Sequence, residues 1–259
     1  MTMISPLRAG LVLAIAASAS LPAAAASASS SDQALRVATA QLQRVWQQDP
    51  LTARRPFPAI RLIDAGAPPP CLSPSFPASG PLVLACPGSG DILVQRHKLA
   101  ALHGVFGEAA ALLVVAYGLG QSLTPAVPVT ASNPSAPSAP AAIPGLRAAC
   151  AAGTLLAALP IPAADRRLVL NNAISAGEQA FPSSAAPQLG TGPQRAYALL
   201  SGMGGTPLDC GRAAMDRLAR GAEPLEAFMA TRGTGVGIAK FCKQPPTCPR
   251  GLSFGVAGN

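Results

Sequence analysis

Histidine is almost missing from this chain of 259 residues, which has only His97 and His103. A pair six residues apart cannot supply the i and i+4 spacing through which helical metalloenzymes grip zinc on one face. Cys-x-x-Cys is also missing, which removes the common thiolate zinc sets. No apolar run reaches the roughly 20 residues that a good membrane span needs. Glycine-rich stretches occur at Gly202-Met203-Gly204-Gly205 and Gly233-Thr234-Gly235-Val236-Gly237. Neither has the spacing of a phosphate loop or a dinucleotide fingerprint, so nucleotide chemistry finds no motif. Ser89, in Pro87-Gly88-Ser89-Gly90-Asp91, lacks the Gly-x-Ser-x-Gly frame of a nucleophile elbow and reads as a hairpin turn.

What is present points to export. Arg8, the apolar stretch from Gly10 to Leu21 and the small residues Ala24-Ala25-Ala26 have the order of a secretory signal peptide over residues 1–26. Residues 27–259 are then expected to form a single domain in a secreted or periplasmic protein. The formal charge of the whole chain is +8. A basic balance often means nucleic acid, but export excludes that partner and favours anionic envelope surfaces or acidic partners. In an oxidising compartment Cys71, Cys86, Cys150, Cys210, Cys242 and Cys248 are expected to form three disulfides. Six cysteines allow 15 pairings, and spacing alone selects none of them.

The hydrophobic pattern predicts a mainly helical α+β fold with a small sheet in the N-terminal third. Leu35, Ala38, Leu42, Val45 and Trp46 recur at helical spacing from Ser31-Asp32 until Asp49-Pro50. Ala59-Ile60-Arg61-Leu62-Ile63 reads as a strand. Leu82-Val83-Leu84-Ala85-Cys86 and Ile92-Leu93-Val94-Gln95 flank the turn formers as a hairpin. Residues 98–123 read as helix, interrupted near Gly104-Val105-Phe106-Gly107, with a second half apolar enough to be buried on every side. Proline, alanine and serine make residues 124–144 an extended connector. Further helices are expected over residues 146–159, 165–181, 193–203 and 212–220. Residues 249–259 carry no signal.

The order of these landmarks resembles that of a known family. Val45-Trp46 closes a helix, a strand and a cysteine follow, and Gly80-Pro81-Leu82 leads to Cys86. After the hairpin come Val114-Val115-Ala116, Leu146-Arg147-Ala148-Ala149-Cys150-Ala151-Ala152-Gly153, Gly190-Thr191-Gly192-Pro193-Gln194-Arg195 and Asp209-Cys210. Over about residues 35–212 this series is similar to the bacterial neutral zinc metallopeptidases, whose metal helix carries His-Glu-x-x-His. The resemblance implies a zincin-like helical core and the pairings Cys71–Cys86 and Cys150–Cys210, leaving Cys242 with Cys248. It places the two histidine positions on Tyr117 and Gln121, the glutamate on Gly118, and the later acidic positions on Gly145 and Ala149.

Every one of those replacements removes metal chemistry. Glycine and alanine have no ligand atom, and a neutral amide is a poor zinc donor. Without a cation nothing lowers the pKa of water from about 15.7 towards 7. The expectation is therefore an inactive homologue with no metal, no cofactor and no catalytic residue, acting by binding or structure. Tyr117 and Gln121 are candidates for a remnant pocket that takes a peptide or small ligand. Two alternatives stand beside this reading. One is a hydrolase with a relocated site at His97, His103 and Glu108, although the histidines lie roughly 240° apart around a helix. The other is a basic module that binds a component of the cell envelope.

Overall fold

A computed structural model describes residues 23–64, 82–86, 89–124, 143–175, 190–206 and 208–223. These residues form a mainly helical α+β fold with one small mixed sheet. Helix α1 (Ala23–Gln48) opens the described chain. Its first residues coincide with the end of the expected signal peptide, the rest of which lies outside the described residues. The face expected from the spacing is the buried one: Leu35, Ala38, Leu42, Val45 and Trp46 are all buried.

Strand β1 (Ile60–Ile63) follows, then β2 (Val83–Ala85) and β3 (Ile92–Gln95). β2 and β3 make the expected antiparallel hairpin, with Leu84 opposite Leu93. The Cys86 N–H donates to the Asp91 carbonyl at 2.7 Å and closes that end of the hairpin. β1 pairs in parallel with β3, so β3 is the central strand. It is buried along its whole length, because helices cover the hairpin and β1 takes its other edge.

The long helical pattern divides into α2 (Arg96–Phe106) and α3 (Glu108–Leu123). Gly107 makes the break at φ 58°, a left-handed conformation that a residue with a Cβ rarely adopts. α3 is the hub. It packs against α1, α2, the sheet, α4 (Ile143–Ala157) and α5 (Ala163–Ser175). From Ala109 to Gly120 only Leu112 is not fully buried, which is why the sequence shows no polar stripe there.

α4 in turn packs against α6 (Gly192–Gly202) and α7 (Arg212–Ala219). The expected start signal of α6 is a full capping box: the Thr191 side chain accepts from the Gln194 N–H, and the Gln194 side chain accepts from the Thr191 N–H. The Gln194 amide also donates to the Leu218 carbonyl at 2.9 Å, tying the start of α6 to the end of α7. The connector expected at residues 124–144 falls mostly outside the described residues, and so do residues 176–189 and the tail.

α4 and α6 meet backbone to backbone. A Cβ on Gly153 would collide with the Leu199 carbonyl, and one on Gly202 with the Cys150 carbonyl. Beside this contact Cys150 is bonded to Cys210, across 60 residues of sequence. Cys86 is disulfide-bonded as well. Cys71, Cys242 and Cys248, and the pairings expected for them, lie outside the described residues.

Three outcomes follow. Gly202→Ala should cost about 2–3 kcal/mol, because two helices must separate. Gly104→Ala, on the open face of α2 with nothing near its Cβ, should be neutral or stabilising by up to about 1 kcal/mol. Urea unfolding of both variants measures this contrast. Replacing Cys150 and Cys210 by serine should remove about 4 kcal/mol, the chain-entropy value for a loop of 60 residues.

Candidate functional site

The positions to which the resemblance assigns metal ligands come together in space, although they lie on two helices separated by the connector. The Tyr117 hydroxyl of α3 donates to the Gly145 carbonyl of α4 at 3.4 Å, in a buried setting. It is also hydrogen-bonded to the Gln121 side chain, one turn along α3. Ala149 lines the same pocket as Tyr117. A phenol that bridges two helices thus stands where the resemblance would put a cation.

The glutamate position has no room for a side chain. A Cβ on Gly118 would lie 2.5 Å from Cγ2 of Ile92 and 3.0 Å from Cγ2 of Val83. The sheet sits directly on the helix there. Gly120 is equally tight, since its Cβ would collide with the Ala148 carbonyl of α4. Gln121 is committed elsewhere: its side-chain oxygen accepts the Ala85 N–H of β2 at 2.9 Å, closing the edge strand of the sheet. One neutral phenol and one engaged amide do not fit a zinc ion.

The pocket is small and partly open, with about 30 Å³ accessible to the centre of a water molecule. Leu82 and Val83 at β2, Leu102 of α2, Leu113 and Val114 of α3, Ala149 of α4, Ala173 of α5 and Leu199 of α6 give it an apolar wall. Its polar features are Tyr117 and Arg195. Gln121 is not among the lining residues. At 10–15 Å³ per water this space holds about two waters or one small apolar group.

Arg195, only 4% exposed, is the residue that sequence reasoning passed over. Its guanidinium donates to the Gly190 carbonyl at 3.3 Å and the Ala173 carbonyl at 3.4 Å. The available signal was a cation in the apolar half of α6, which spacing alone cannot separate from a side chain that reaches to solvent. Burial pushes the Tyr117 phenol above its ordinary range, while the Arg195 cation and the Gln121 hydrogen bond pull the other way.

No protein-family model, curated protein or solved structure matches this chain. Its functional reading therefore rests on the residues themselves.

The histidines are brought to α2 but do not converge. His97 is largely exposed, and partial desolvation of its ring, reinforced by Lys98, lowers its pKa. His103 is half-buried, with Nε2 3.9 Å from Oε1 of Glu108. Among the described residues no group of three or more His, Cys, Asp or Glu side chains is placed to hold a metal ion. The Ser89 hydroxyl accepts the Asp91 N–H at 3.2 Å, a turn contact.

The buried phenol gives a pH signature. Unfolded tyrosine ionises near 10.0 and folded Tyr117 above that. Its contribution to stability is therefore fully present below pH 10 and is lost as the pH rises further, when only the unfolded chain releases the proton. Tyr117→Phe should lose about 1 kcal/mol at neutral pH and shed this alkaline component, as measured by denaturant unfolding at pH 8 and above pH 10.

Proposed function

We propose that the chain is an exported, non-catalytic relative of the neutral zinc metallopeptidases that acts by binding, through the apolar pocket beside Tyr117. One observation carries the reading. The Tyr117 hydroxyl reaches the Gly145 carbonyl, so two positions that the resemblance assigns to one metal site are neighbours, now joined by a protein–protein hydrogen bond. The filled space beside Gly118 supports the loss of hydrolysis, because a general base has nowhere to stand. The disulfides support an oxidising compartment. No helix among the described residues is long and apolar enough to cross a membrane.

The pocket selects shape and apolarity before charge. It accommodates one small aliphatic group, with the Tyr117 phenol at its wall. An exported peptide presenting a single apolar side chain fits that description.

Purified protein should contain no stoichiometric zinc by elemental analysis and should not cleave casein. Tightly held zinc together with chelator-sensitive cleavage would overturn the proposal. Peptides carrying one alanine or valine among polar residues should bind by calorimetry, and Ala173→Val, which fills the pocket, should abolish that binding without unfolding the chain.

A second reading draws on the His103–Glu108 contact, which has the acid–base pair of a relocated hydrolase site but a gap of 3.9 Å. It requires His103→Ala to abolish any hydrolysis the protein performs.

A further inference from the structure

We propose that the turn after α1, residues 49–56, docks the protein on an anionic phospholipid bilayer. The turn is rigid. The buried Thr52 hydroxyl donates to the Trp46 carbonyl at 2.6 Å, and the Trp46 indole donates to the Arg55 carbonyl at 3.0 Å. The Asp49 carboxylate accepts the Leu51 N–H at 2.8 Å, and Trp46 packs edge-on against Phe57 at 5.8 Å.

This frame holds Leu51 outward at 81% exposure. Among the described residues Val37, at 41%, is the other large hydrophobic residue that is exposed. A leucine held in water by a well-bonded turn gains by transfer to an apolar phase, and the turn need not rearrange to deliver it.

The charge around Leu51 selects the phase. Between Asp32 and Asp64 the chain carries five arginines against a single acid, Asp49. Arg61 is paired with Asp91, and Arg36 donates to Gln33. The side chains of Arg44, Arg54 and Arg55 are exposed and enter no hydrogen bond or ion pair among the described residues. Arg54 and Arg55 follow Leu51 by three and four residues, and Arg44 lies on the last turns of α1. Guanidinium groups bind phosphate oxygens two at a time, while the leucine enters the acyl boundary beneath the headgroups. An anionic bilayer meets both requirements at once, with phosphates for the arginines and acyl chains for Leu51.

The test uses the full chain sedimented with vesicles of equal parts phosphatidylglycerol and phosphatidylcholine, against vesicles of phosphatidylcholine alone. The arginine variant separates this contact from any insertion of the apolar N-terminal stretch, whose Arg8 also favours anionic lipid. The expected result is preferential, salt-sensitive partition into the anionic vesicles. Arg54→Gln with Arg55→Gln should weaken it about 25-fold, since each basic residue near such a surface contributes a factor of about five. Leu51→Ser should weaken it without changing the salt dependence. Circular dichroism and the fluorescence of Trp46, the single tryptophan, check that the turn is intact in each variant. Equal partition into both vesicle types, or anionic binding that the arginine variant leaves unchanged, would overturn the proposal. So would binding to soluble polyglutamate as strong as to vesicles and indifferent to Leu51→Ser.

Discussion

The close approach of α3 to the sheet on one side and to α4 on another constrains everything around it. Gly118 lets Ile92 and Val83 rest on the helix axis, and Gly120 lets the Ala148 carbonyl do the same from α4. A helix enclosed this way cannot carry polar side chains without a partner for each, since an unpaired polar group in such an interior costs about 1–3 kcal/mol. The sequence of α3 obeys that limit. Its two polar residues in the region, Tyr117 and Gln121, both spend their polar atoms on neighbouring backbone. The same approach explains why a catalytic glutamate has no place at residue 118: the volume it would need is occupied by the core.

A second set of contacts repeats this arrangement farther out. Gly153 and Gly202 bring α4 and α6 into backbone contact. The Cys150–Cys210 bond, the capping box at Thr191 and the Gln194 bond to α7 then hold that pair in register. The pocket is walled by residues from five helices and the edge of β2. The apolar character of its wall follows from the leucine, valine and alanine side chains that line it. Arg195 reaches this wall by directing its guanidinium at two carbonyls, which is how a cation becomes tolerable there.

The turn at Leu51 belongs to a different regime. There the backbone is fixed by hydrogen bonds to Trp46 while the side chains are left to solvent. Rigidity at the pocket comes from packing, and at the turn from polar contacts.

Sequence alone determined the elements, because periodicity, caps and breakers act over a few residues. The apolar stripe of α1, the β2–β3 hairpin, the break at Gly107 and the start of α6 at Thr191 were all legible from local spacing. The pairing of Cys150 with Cys210 came from resemblance to a family rather than from spacing, and the fold places those two sulfurs together. Only the tertiary structure decided that β1 runs parallel beside β3, that Gly118 is filled by Ile92, and that Tyr117 meets Gly145. Nothing in a glycine's own neighbours announces which distant side chain will take its missing Cβ. Arg195 and Leu51 escaped for the same reason: whether a side chain is buried or exposed depends on elements far along the chain, and pattern within a single helix or turn does not encode them.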